Sequence, residues 1–227
     1  MRSNTRTMLA LCLWAAAAAA QETTEPAAPP VPSTEPVRVI ESDRSVGAAL
    51  KMKVDLAIGD VIVRGEDVDR IMARLLVFCD KKPRDRASCD EHARDLAIEG
   101  SSNGDELLVG VKGDRNLVSR RLRLRLELRV PKNLAVEVKL RDGQVRVDNL
   151  IASTKVDLEK GTVDLTLPEA DVAELELRAG GTARVERGGD RVSAKGTLSG
   201  ELKWTREGGV VRVKASSALG DVRVVLN

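Results

Sequence analysis

Glycine returns at a nearly fixed interval through the second half of this chain, at positions 143, 161, 181, 200 and 220, with gaps of 18, 20, 19 and 20 residues. The second and fourth residues after each one are apolar: Val145 and Val147, Val163 and Leu165, Ala183 and Val185, Leu202 and Trp204, Val222 and Val224. Gly59 opens a matching unit with Val61 and Val63. Before three of the glycines stand further apolar pairs, Val138/Leu140, Val156/Leu158 and Leu175/Leu177. Each unit reads as strand, glycine turn, strand, polar turn. The two-residue alternation gives every strand one buried face and one wet face. Such a unit cannot bury its aliphatic edge alone, so copies must stack, with backbone hydrogen bonds joining one to the next. Glycine belongs where the chain turns with positive φ, and Gly188-Gly189 and Gly208-Gly209 mark the opposite corners. The expected fold is all-β, a repetitive parallel β-solenoid or solenoid-like sandwich of two-strand units of ~19 residues.

The ends of the chain set its compartment. Arg2 and Arg6 precede an apolar run from Met8 to Ala20, and Ala18-Ala19-Ala20 suits a cleavage site before Gln21. This predicts a signal peptide over residues 1–20 and an exported, secreted protein in the periplasm or on the cell surface. Leu11 is too large a residue before Cys12 for a lipoprotein signal. No later apolar stretch reaches the length of a membrane-spanning helix. Residues 21–36, with Pro26, Pro29, Pro30, Pro32 and Pro36, read as an extended linker rich in proline and threonine. Residues 37–133 form a less regular β part that caps the stack, with helix-like character only over Ala87–Ala97. Residues 134–227 hold the regular repeats, and 37–227 form one continuous domain.

Composition narrows the chemistry. The chain has 37 Lys+Arg and 35 Asp+Glu. Loss of Arg2 and Arg6 with the signal leaves 37 − 2 = 35 of each, so the mature chain is neutral and its charge balance implies no nucleic-acid partner. Phe78 and Trp204 are the aromatic residues that survive cleavage, too few for rows of stacking platforms. Cys79 and Cys89 also survive, and in an oxidising compartment a pair this close reads as a disulfide. The alternative is a metal site with His92 as third ligand, although the paired short spacing of zinc sites is missing.

The units Leu-Arg-Asp-Gly-Gln-Val-Arg-Val (140–147), Glu-Lys-Gly-Thr-Val-Asp-Leu (159–165) and Ala-Leu-Gly-Asp-Val-Arg-Val-Val (218–225) resemble the β-strand repeats of the putative adhesin family of bacterial envelope proteins. That family is a domain of unknown function, usually behind a signal peptide. Its hallmark is a recurring Asn/Asp/Ser-Gly-(Asp)-Val/Ile-x-Val turn. The resemblance extends over 37–227 and is best from Leu134 onward. It implies export and a repetitive β fold, and it brings no catalytic residues with it.

Three constellations could carry chemistry. The third position after each glycine faces outward, giving Ile62, Arg146, Asp164, Arg184, Lys203 and Arg223. If the units stack in sequence order, Arg184, Lys203 and Arg223 form a basic column for a polyanion, unless Glu186, Glu201 and Asp221 offset it. The stretch Arg120–Arg129 turns Leu122, Leu124, Leu126 and Leu128 inward and Arg121, Arg123, Arg125 and Arg129 outward with Glu127. It is either a site for phosphate-bearing lipid or a charged partner, or an edge strand whose arginines deter aggregation and pair with Glu137 and Glu176. Asp142, Asp148, Asp157 and Asp164 fall on nearby units, but glycoside hydrolysis needs two carboxyls at a defined separation across a cleft. Phosphate loops, dinucleotide fingerprints, nucleophile elbows, zinc-protease motifs and calcium nonapeptides are absent from the sequence.

The expectation is therefore a protein without enzyme activity, cofactor or metal. It binds an envelope polymer, a surface or a partner protein through flat sheet faces. A periplasmic sensor or accessory domain for envelope stress signalling is the alternative, and a polysaccharide-active enzyme the outside choice.

Overall fold

The structure is a computed structural model and describes residues 35–79, 86–113, 121–195 and 199–227. The export signal read over residues 1–20, most of the linker and part of the Cys79–Cys89 loop lie outside the described residues. The strands are β1 (Arg38–Ser45), β2 (Lys51–Glu66), β3 (Arg70–Cys79), β4 (Ala97–Asn103), β5 (Glu106–Lys112), β6 (Leu122–Pro131), β7 (Ala135–Asp148), β8 (Thr154–Leu167), β9 (Val172–Ala179), β10 (Thr182–Arg187), β11 (Asp190–Lys195), β12 (Gly200–Thr205), β13 (Val211–Leu219) and β14 (Val222–Leu226). The helix α1 (Arg86–Ala93) falls where helical character was expected. None of the described helices is long and apolar enough to cross a membrane.

The glycine units are long strands with a corner inside them. In β2 the buried residues are Met52, Val54 and Leu56 before Gly59, then Val61 and Val63 after it. The buried positions change from even to odd at the glycine, which keeps both halves facing the same core. Strands β7 and β8 do the same around Gly143 and Gly161, and β13 passes into β14 around Gly220. These strands lie side by side in parallel, with Gly59 opposite Gly143 and Gly143 opposite Gly161. Their backbones touch: a Cβ on Gly143 would lie 1.7 Å from the Gly59 carbonyl oxygen, one on Gly161 1.7 Å from that of Gly143, and one on Gly220 1.7 Å from that of Gly161. The recurrent glycine is thus required twice, by a φ of +130° to +159° at these three positions and by the close approach of the next strand.

The stack is an open, mixed sheet and corrects the expectation of a solenoid. Its order is β1-β3-β6-β2-β7-β8-β13-β9-β12, with the second halves β14, β10 and β11 continuing beside β8. The last unit in sequence, β13–β14, lies between β8 and the β9–β10 unit. Sequence order and spatial order part here, which a solenoid does not allow. Two repeat positions also move. Gly200 starts β12 rather than marking a corner, and it sits opposite Ala179. Gly188-Gly189 makes the tight turn of the antiparallel β10–β11 hairpin.

The core is aliphatic, as the lack of rings demanded. Rows of inward residues run across the strands, such as Val61, Val145, Val163, Val222 and Ala183, all buried. Each fully buried Val or Leu contributes about 1.5–3 kcal/mol relative to exposure. Cys79 and Cys89 form a disulfide with Cα atoms 6.0 Å apart, which removes the metal-site alternative and ties α1 to β3. Arg38 Nη1 donates to the Ala93 carbonyl at 2.5 Å and holds the other end of α1.

Candidate functional site

Because each strand presents alternate residues to solvent, the pairing register decides which charges meet on the outer face. In the halves after the corner, one outer row reads Glu41, Arg74, Glu127, Ile62, Arg146, Asp164, Arg223, Arg184. Arg223 and Arg184 are neighbours, as the column required. Both lie beside Glu186: Arg223 Nη2 is 2.6 Å from Glu186 Oε2, and Arg184 Nη1 is 3.9 Å from Glu186 Oε1. The Arg223 hydrogen bond holds the Glu186 carboxyl below its ordinary range, with Arg191 adding to the effect. Lys203 does not join them. It lies on β12 opposite Glu176, in the halves before the corner, because Gly200 opens a strand that pairs with β9 and does not mark a corner.

In those first halves another row reads Lys203, Glu176, Lys214, Lys155, Glu137, Lys53. Glu137 is its hub and is a buried charged residue, 7% exposed. Lys51 Nζ lies 2.5 Å from Glu137 Oε2 and Lys155 Nζ 3.3 Å from Oε1. The Lys51 hydrogen bond lowers the Glu137 pKa to about 2 against the opposing effect of burial, and Lys155 adds to the lowering. A carboxyl held this firmly ionised cannot serve as a general acid at neutral pH. The next row, Glu201, Arg178, Ser216, Asp157, Lys139, Asp55, alternates in charge. From Arg178 to Asp55 this row lines an open groove of 770 Å³ together with Arg141 and Glu159.

The arginine-rich strand is β6. Leu122, Leu124, Leu126 and Leu128 are buried, and Arg123 and Arg129 are exposed. Arg121 precedes the strand with φ +54°. β6 is no edge strand. It lies between β3 and β2, antiparallel to one and parallel to the other. Its carboxylate partners are also other than expected: Arg125 pairs with Asp60 at 3.6 Å and Arg129 with Glu66 at 3.7 Å. Glu137 and Glu176 are engaged by lysines elsewhere. The pairing with β3 places Phe78 directly opposite Arg123. The guanidinium carbons of Arg125 and Arg123 stand 5.5 and 6.0 Å from the ring centroid, within cation–π range.

The four aspartates are divided by the corner, Asp142 and Asp157 before it and Asp148 and Asp164 after it. Asp142 lies 3.6 Å from Lys160, Asp157 3.0 Å from Lys155 and Asp148 2.9 Å from Arg146, while Asp164 is opposite Arg223. They act as partners for cations rather than as a pair across a cleft. Among the described residues no group of three or more His, Cys, Asp or Glu side chains could hold a metal ion. Sequence reasoning names Glu137 only as a partner for the arginines and Phe78 only as a surviving ring, and it missed the lysine pairs of one and the cation–π contacts of the other. Glu137 looks like any outward residue of an alternating strand, and only pairing with β2 and β8 brings two lysines to it.

No family model matches the chain. No curated protein matches it either. Among solved structures it is similar to a putative cell adhesion protein from Clostridium sporogenes, with 11% identity, a TM-score of 0.49, and coverage of 84% of this chain and 100% of that one. A putative adhesin from Parabacteroides distasonis gives 13% identity and a TM-score of 0.26 over 58% of this chain and 57% of that one. A putative adhesin from Bacteroides fragilis gives 10% identity and a TM-score of 0.25 over 85% and 98%.

Proposed function

We propose that this chain is an exported, non-catalytic binding module of the cell envelope, and that the outer face of β6 and β3 is its contact surface for an anionic envelope component. One observation carries the reading: β6 holds the guanidinium groups of Arg123 and Arg125 6.0 and 5.5 Å from the Phe78 ring centroid, with Arg121 at the head of the strand. Guanidinium groups whose stems lie along a ring are pre-organised and weakly hydrated, which suits phosphate or carboxylate groups on a repeating polymer or lipid. Arg184 and Arg223 are a weaker second candidate, because a bound anion would have to displace Glu186 from its 2.6 Å contact with Arg223, a closer pairing than the 3.6 Å between Arg125 and Asp60.

Replacing Arg121, Arg123 and Arg125 together with serine is expected to reduce cosedimentation with anionic vesicles at low salt by about tenfold or more, since each cation near such a surface contributes about 1 kcal/mol. Unchanged binding by a folded variant would remove this strand as the site. Location is tested separately. Digestion of the native protein by protease on intact cells, with a periplasmic control protected, supports a surface role. Protection until the outer layer is breached supports the alternative of a periplasmic accessory domain.

A further inference from the structure

The inward rows that bury the core run out of cover at one end of the sheet. Val63, Val147, Leu165, Val224, Val185 and Val192 lie side by side in register. The first five are at most 5% exposed, whereas Val192 is 60% exposed. In the other halves the row Met52, Val136, Thr154, Val213, Leu175, Trp204 ends on a half-buried tryptophan. β11 pairs with β10 and β12 with β9, and neither strand has a neighbour on its other side among the described residues. At the opposite end β1 and β4 are outermost strands too, each with one paired neighbour among the described residues. There Arg44 Nη1 donates to the Gly100 carbonyl at 2.6 Å, engaging the outer strand β4, and the disulfide-tied α1 packs beside β3.

We propose that a second copy of this chain covers the exposed unit, its β11 lying antiparallel along β12 and its β12 along β11 about a two-fold axis. The chain enters this unit through β11 and leaves it through β12, so such a rotation lays each strand on the other with its direction reversed. It also makes the interface isologous, which closes the assembly at two copies. Main-chain pairing of two open edges supplies the attraction, and side chains select the register.

The register follows from charge and pleat. Val192 and Ala194 point inward opposite Val185 and Ala183, and Leu202 and Trp204 point inward opposite Leu177 and Leu175. Inward residues must face inward residues, so slips of a single residue are excluded. One register sets Trp204 against Val192 of the second copy, Leu202 against Ala194, and Glu201 against Lys195. Shifting by two residues in one direction sets Lys203 against Arg191, and in the other Lys203 against Lys195, each a like-charge contact. The first register is the self-complementary one, and its Glu201–Lys195 pair occurs twice by symmetry.

Sedimentation equilibrium of the mature chain across the micromolar range tests the proposal. A concentration-dependent dimer is expected, with amide exchange in β11 and β12 slowing as the dimer fills. Lys195→Glu and Glu201→Lys are each expected to raise the dissociation constant about tenfold, because every reversal is felt twice. The double variant that exchanges the two charges is expected to return it to within about threefold of the parent. Both positions are exposed, and Glu201 also pairs with Lys203 at 3.4 Å and Arg178 at 3.7 Å, so thermal melts at dilution measure any loss within the single chain separately from dimerisation. A parent that stays monomeric throughout overturns the proposal. So does a dimer indifferent to the single reversals, or one that the charge exchange fails to restore.

Discussion

Glu137 and the glycine column are where single side chains matter most. Because the Glu137 pKa is lowered to about 2 in the folded chain, its ion pairs contribute stability that is complete above the ordinary carboxyl range and is lost as pH falls toward 2. Its lysine partners are about half exposed, so solvent screening reduces the contribution to about 1–2 kcal/mol. Glu137→Gln should lower the denaturation free energy at pH 7 by that amount. It should also flatten the stability profile between pH values of about 4.5 and 2, as read by urea titration at several pH values. The glycines give a controlled comparison. Gly143→Ala places a methyl 1.7 Å from the Gly59 carbonyl oxygen at φ +145°, and should cost about 4 kcal/mol or more, or prevent folding. Gly47→Ala meets no atom within 4 Å and bears only the left-handed backbone at φ +57°, so about 1–2 kcal/mol is expected from the same melts.

At the scale of elements, much was legible because a period of two leaves so few choices. The inward leucines of β6, the apolar pairs flanking the glycines, the short helix and the Cys79–Cys89 bridge can all be read from local pattern. What local pattern could not reveal is which strand lies next to which. For that reason local pattern makes β6 a candidate edge with acidic partners in Glu137 and Glu176, whereas β2 supplies Asp60 and Glu66 instead. The disulfide has a local role by the same reasoning. It spans a sequence separation of 10, so replacing both cysteines with alanine should cost about 2–3 kcal/mol by loop-closure entropy. The loss of amide protection should concentrate in α1, whose few contacts give it little else to hold it, and leave β7 and β8 protected in hydrogen exchange.

At the scale of the whole molecule, the decisive feature is that the last unit in sequence is not the last in space. In a repeat array built in sequence order, removing the final unit shortens the stack and leaves the rest intact. Here deletion of residues 211–227 removes β13 and β14 from between β8 and the β9–β10 unit. The truncated chain should melt at a lower temperature than the parent, and β9 to β12 should become protease-sensitive while β2, β7 and β8 persist. The same insertion brings Arg223 beside Arg184, whereas Lys203 is apart from both because β12 pairs with β9 in the halves before the corner.

The sequence by itself determined the all-β character, the aliphatic core, the faces of the strands and the need for glycine at the corners, because those follow from side-chain alternation and from backbone conformations that only glycine adopts freely. Tertiary structure decided the order of the units, the partners of every outer charge and the open unit at one end. These depend on pairing between segments far apart in the chain, and units with nearly identical patterns of valine and glycine can stack in any order without changing the local signal.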